Sequence, residues 1–131
     1  MPVPGSLKRR PINENEIAQV LERQFNLPTL ETRAYLQMLE RTSVGVDELA
    51  ETLAISKEKT KGLLQTMISR GLIIEAPGSK DAFSALHPRM TMTNIFKIYE
   101  KDLVQSLRDR RATVDRIVNL LTPIYEEKKA T

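Results

Sequence analysis

Apolar positions in the first half of the chain recur at helical intervals between short breaks. Ile17, Val20, Leu21 and Phe25 follow Asn13 and Glu16, a variant of the capping box, and predict a helix over about 14–24. Leu27-Pro28 interrupts it, and Thr29 opens a second helix of about 30–41 in which Tyr35, Leu36, Met38 and Leu39 crowd one side. Ser43-Val44-Gly45 is short enough for a turn or an isolated edge strand. Asp47 and Glu48 then favour a helix start, and Leu49, Ala50 and Leu53 give a third helix of about two turns. Ser56 is the N-cap of a fourth helix, 57–70, with Thr60, Leu63, Leu64 and Met67 on one face and Gly71 as its terminator. Leu72 to Ala76, the turn signal Pro77-Gly78-Ser79-Lys80, and Ala82 to Leu86 read as a two-stranded hairpin over 72–86.

His87-Pro88 ends the second strand. From Thr91 to Tyr125 there is no glycine and only Pro123 as a breaker, which predicts one long amphipathic helix. Its apolar residues recur at an interval of eleven: Met92, Leu103, Val114 and Tyr125 in one row, Phe96, Leu107 and Val118 in the next, then Tyr99 and Leu121 with Arg110 as the polar exception. That interval is about 3.67 residues per turn, close to a straight helix. A helix of about 35 residues is near 50 Å long and outreaches a small domain, so it needs a partner. The predicted seam is Met92, Phe96, Tyr99, Leu103, Leu107, Val114, Val118 and Leu121, with Arg108, Arg110 and Arg111 at its rim or near a polyanion.

Three short helices, a fourth behind a tight turn, and a hairpin are the order of a winged helix-turn-helix. The expected fold is mainly α with a small β-hairpin: a basic arm over 1–12, a winged helix-turn-helix domain over 13–87, a long C-terminal helix over 88–127, and a tail over 128–131. In this arrangement the fourth helix is the one available to a major groove about 12 Å wide. With its apolar residues inward, Glu58, Lys61, Gly62, Gln65 and Ser69 face outward and Lys57, Lys59 and Thr66 lie on the flanks. Gln65 has the chemistry to pair with an adenine edge and Lys61 with guanine or phosphate, while the Ser56 end offers free N–H groups to a phosphate. Gly62 costs about 1 kcal/mol against alanine in a helix, which a close approach to sugar-phosphate explains. The candidate double-stranded DNA contacts are those residues with Ser56, Arg70 and Lys80. Pairing of two long helices across a two-fold sets the recognition helices about 34 Å apart, the spacing of successive major grooves.

Charge placement agrees with that face. Of the net +3, residues 1–12 contribute Lys8, Arg9 and Arg10 without an acid, 13–55 carry −5, 56–90 carry +3 and 91–131 carry +2. The absence of cysteine and the single His87 leave no zinc set, and no paired carboxylates, histidine dyad or phosphate-cradling glycine loop stand out. No catalytic residue, metal ligand or cofactor is expected. The lack of a long apolar run or hydrophobic leader predicts a cytoplasmic, nucleoid-associated protein without a membrane partner.

Leu27-Pro28-Thr29-Leu30-Glu31-Thr32-Arg33-Ala34-Tyr35, Val46-Asp47-Glu48-Leu49-Ala50, and Ile55-Ser56-Lys57 with Arg70-Gly71-Leu72-Ile73 resemble the TrmB-like archaeal and bacterial transcription regulators over about residues 15–87. The resemblance implies a DNA-binding winged helix, action on transcription as a dimer, and the transcription machinery as a candidate contact. It is to a short form: beyond Leu86 only the long helix remains, so the effector-binding domain of larger members and its sugar sensing are not carried over. Two positions depart from the pattern. Ala54 stands where the helix-turn-helix turn often has glycine, and Thr60 replaces an aliphatic core residue. The alternative reading is a winged-helix scaffold that binds only protein.

Overall fold

The structure is a computed structural model that describes residues 11–79 and 81–130. Its elements run α1 (Glu14–Phe25), α2 (Thr29–Leu39), β1 (Val44–Gly45), α3 (Val46–Leu53), α4 (Lys57–Arg70), β2 (Ile73–Glu75), β3 (Ala82–Ala85) and α5 (Pro88–Ala130). The basic arm, Lys8 to Arg10, and Lys80 lie outside the described residues. Two compact units result, one reaching Phe96 and the other starting at Lys97. The first takes in the opening turns of α5 as well as the winged helix.

Local chemistry accounts for the boundaries. Asn13 Oδ1 accepts the Glu16 N–H at 3.1 Å, and Ser56 Oγ accepts the Lys59 N–H at 3.1 Å, so both predicted caps are made. Gly71 closes α4 in the left-handed conformation, with φ 81. α2 begins at Thr29 itself, with Pro28 as its cap residue. His87 caps α5: its Nδ1 accepts the Arg89 N–H at 3.0 Å, and Pro88 occupies the first helical position, where its missing N–H costs nothing. Pro123 does not end this helix, which also continues through 128–130, assigned to a tail by sequence.

The sheet has one more strand than the hairpin predicted. β1 pairs antiparallel with β3, Val44 opposite Phe83, and β3 pairs with β2, Ile73 opposite Ala85, giving the order β1-β3-β2. Val44-Gly45 is therefore a paired strand, neither a free turn nor isolated. The wing tip closes with Ser79 N–H donating to Ala76 O at 3.2 Å and Gly78 at φ 79, which with Pro77 before it is the signature of a type II turn.

The core of this unit joins Leu27, Tyr35, Met38, Val44, Leu49, Leu53, Leu64, Met67, Leu72, Ile73, Phe83 and Ile95. Tyr35 runs through it and its hydroxyl donates to Leu86 O at 2.7 Å, tying α2 to the end of the wing. Thr60 is fully buried, and its hydroxyl donates to Ser56 O at 2.8 Å. The polar atom that replaces an aliphatic group is thus satisfied inside α4, at no packing penalty.

Ala54 ends α3 at φ 56 and ψ 45, a region that disfavours side chains. The helix-turn-helix turn needs a left-handed residue there, and alanine supplies it under strain. Ala54→Gly is expected to stabilise the fold by about 1 kcal/mol, read as a rise of a few degrees in the thermal midpoint by circular dichroism.

Candidate nucleic-acid interface

α4 is held from behind by Thr60, Leu64 and Met67, all buried, with Leu63 and Ile68 packed at the edge of the core. Its opposite side is open: Lys57, Glu58, Lys59, Lys61, Gly62, Gln65, Thr66 and Ser69 are all exposed. A Cβ built on Gly62 meets nothing within 4 Å, so no contact inside the chain requires glycine there. At the N-terminal end the Ser56 cap takes the Lys59 N–H, which leaves the Lys57 and Glu58 N–H groups without intrahelical partners. Those two donors and the helix dipole favour an anion at this end.

Two features of the surface were not visible in the sequence. Lys57 Nζ lies 3.2 Å from Asp47 Oδ1 of α3, an exposed pair of small energetic weight. Around it a shallow cleft gathers Asp47, Glu48 and Asp81 beside Lys57 and Lys61, so the basic end of α4 is partly neutralised by neighbouring elements. Spacing along the chain carries no sign of this, because the acids come from α3 and from Asp81, just before β3. Asp47→Asn, which leaves Lys57 without its neighbour, is expected to raise affinity for a random DNA duplex by about threefold in a binding titration at low salt.

Arg70 is the second. Sequence placed it among the DNA contacts, but its Nε lies 3.0 Å from Oε1 of Glu31 on α2, and Glu31 is 3% exposed. Neither atom has a hydrogen-bond partner outside this pair. Arg70 therefore serves as the counter-charge of a buried carboxylate and anchors the last turn of α4 to α2. Burial raises the Glu31 carboxyl above its ordinary value, while the charge and hydrogen bond of Arg70 pull it back down.

A carboxyl raised in the fold contributes stability that is fully present below its unfolded pKa and lost as pH rises through its folded one. Ionised Glu31 thus weighs against the fold at neutral pH, and Arg70 limits that weight. Arg70→Met is expected to cost about 2 kcal/mol at neutral pH, discounted for the partial exposure of the arginine. Acidification should recover much of the loss, because the unpaired carboxyl then takes up a proton. Lys61→Met, from the outward face, should leave the melting curve unchanged at any pH.

The second unit is the part of α5 from Lys97 onward. Leu103, Leu107, Val114, Val118 and Leu121 of the predicted seam are exposed along it, together with Ile117, Leu120, Ile124 and Tyr125. Tyr99 is half-buried; Met92 and Phe96, on the opening turns of α5, are exposed. Arg111 pairs with Asp115 at 3.8 Å across one helical turn. Among the described residues no helix is long and apolar enough to cross a membrane, and no cluster of residues could hold a metal ion.

Comparison with known proteins agrees with the architecture. Residues 21–89 match the family described as sugar-specific transcriptional regulator TrmB. The chain is 20% identical over 113 residues to the DNA-binding HTH-type transcriptional repressor TrmBL2 of Thermococcus kodakarensis, covering 86% of this chain and 43% of that protein. It is 18% identical over 115 residues to the putative HTH-type transcriptional regulator TrmBL2 of Pyrococcus furiosus, covering 88% and 44%. The chain thus spans less than half the length of these relatives. Among solved structures, TrmBL2, described as an archaeal chromatin protein with a novel mode of DNA binding, superposes with a TM-score of 0.71 at 18% identity, covering 92% of this chain and 46% of that one. At that identity the likeness is one of fold, whereas the family match spans more than half of the chain. The chain is a winged helix-turn-helix protein of the TrmB family of transcriptional regulators.

Proposed function

We propose that this chain is a double-stranded DNA-binding transcriptional regulator that reads sequence with α4 in a major groove, steadies itself with the wing, and acts as a dimer through α5. The observation that carries this reading is the polar side of α4, uncovered along its length and led by a helix start with two uncommitted N–H groups. The TrmB-family relatives are described as transcriptional regulators, and the solved TrmBL2 as a DNA-binding chromatin protein, which supports DNA as the partner and a nucleoid-associated location. Lys57, Lys59 and Lys61 supply phosphate contacts, and Gln65, with Glu58 and Ser69, faces the bases. Arg70 is no longer in that set. Lys80, outside the described residues, remains a candidate phosphate contact from the sequence. A dimer doubles the contacts and leaves the bound protein beside the transcription machinery.

The role of Gly62 separates DNA reading from a purely structural or scaffold role. Gly62→Ala is expected to stabilise the free protein by about 1 kcal/mol, since helix propensity is the only term that changes there. On DNA the added methyl meets the backbone, so duplex affinity should fall about tenfold or more despite the gain in stability. Gln65→Ala should instead relax the preference at one base position, read by selecting bound sequences from a random duplex pool. Wild-type protein with no salt-dependent duplex affinity at micromolar concentration would overturn the proposal in favour of a protein scaffold.

A further inference from the structure

Three buried side chains along one line of α4, Thr60, Leu64 and Met67, press it against the core. Packing of this kind is non-directional, so it holds the helix down without fixing its angle across the domain. At the start of α4 the chain arrives from α3 through Ala54 to Ser56, and the side-chain tie there is the exposed Lys57–Asp47 pair, which is weak. The strong directional contacts lie at the other end. There Arg70 meets Glu31 of α2, and Asn94 Nδ2 of α5 donates to Gly71 O at 2.9 Å.

We infer that Asn94 is a positioning residue for DNA recognition: acting through the Gly71 carbonyl, it sets the angle of α4 and with it the bases that α4 reaches. This role rests on the major-groove reading above and belongs to a residue outside the outward face of α4. Closing the helix does not need Asn94, because Gly71 N–H donates to Ile68 O and Leu72 N–H to Met67 O, both at 3.0 Å. Nor does seating the opening of α5, where Thr91 and Ile95 are already buried. What Asn94 adds is a fixed stop. A Cβ on Gly71 would lie 2.2, 2.7 and 2.9 Å from its Nδ2, Cγ and Cβ, so its side chain rests directly on the backbone where α4 ends. Both partners belong to the same compact unit. α4 has fourteen residues and is about 21 Å long, so a tilt of about 10° at this end carries its start through about 3.7 Å. Successive phosphates of one strand are about 3.4 Å apart. Glu58 would thus move by a whole base step and Gln65 by about half as much, beyond the tolerance of a hydrogen bond. Lys57, Lys59 and Lys61, on flexible stems, would still find phosphates.

Asn94→Ala, and Asn94→Asp, which keeps the shape but removes the donor, test this on the full chain. The probes are a duplex selected by the wild-type protein from a random pool and a random duplex, each titrated well below the melting midpoint of the variant. Both variants are expected to lose about tenfold or more in affinity for the selected duplex, and to stay within about twofold for the random one with an unchanged salt slope. Thr91→Val alters the same junction but leaves the bond to Gly71, so it should keep the wild-type ratio of the two affinities. A purely structural role for Asn94 lowers both affinities in proportion, and that result overturns the inference. An unchanged ratio in the Asn94 variants does so as well, as does an equal loss of ratio in Thr91→Val. Where Asn94→Ala does not fold, Asn94→Asp decides; failure of both to fold assigns Asn94 to stability and overturns the positioning role. A wild-type protein without preference for its selected duplex overturns the base-reading proposal itself, before any variant is made.

Discussion

The placement of α4 depends on the crowded junction where it ends. Gly71 turns the chain through φ 81, and the Asn94 side chain of α5 packs against it so closely that a Cβ on Gly71 would lie 2.2 Å from Asn94 Nδ2. Asn94 Nδ2 donates to Gly71 O at 2.9 Å, and Thr91, one turn earlier, directs its hydroxyl toward Leu72 O at 3.4 Å. The Gly71 carbonyl, which the helix end leaves without a ladder partner, is thereby taken up by a side chain of the next helix, whereas Leu72 O also accepts the Leu86 N–H at 2.9 Å. Only glycine satisfies both the backbone angle and the contact. Beside it, the Arg70–Glu31 pair fixes the last turn to α2, so the C-terminal end of α4 is held from two directions.

This anchoring explains how α4 can be so polar. Only Thr60, Leu64 and Met67 of its fourteen residues are buried, and one interior position is glycine. Such a segment has little tendency to be helical alone, and tertiary packing rather than propensity keeps it formed. Because the scaffold carries the cost, the outward positions need not contribute to stability, and their chemistry is free to serve recognition. The same division accounts for Arg70, which sits on the helix but at its anchored end, where a charge is used for holding and not for reading.

Much of the fold was legible because its signals are local. Caps at Asn13 and Ser56, the terminator Gly71 and the Pro77-Gly78 turn each act over three or four residues, and α4 is found at its predicted bounds of 57–70. What escaped the sequence was long-range. β1 is two residues long and carries too little pattern to announce its pairing with β3, Glu31 and Arg70 are separated by 39 positions, and Asn94 lies 23 beyond the glycine it packs on. The candidate interface divides in the same way. Its outward face follows from helical rotation alone, whereas the acids that surround Lys57 come from α3 and the wing, and only the folded chain brings them together.

The mixed charge around Lys57 bears on how such a surface would bind. Three lysines on α4 with Asp47, Glu48 and Asp81 nearby make a weak polyanion trap, and a single copy neutralises few phosphates. Affinity that grows with the number of neutralised phosphates is then best gained by joining two such faces. The stripe of α5, where Leu103, Leu107 and Val114 are left uncovered in a row, is the surface that the proposed dimer would use. In the dimer proposed above, a modest charge on each α4 face would be combined with that of a second copy. Indiscriminate attraction would then stay low, with the energy for binding gained by engaging two sites at once.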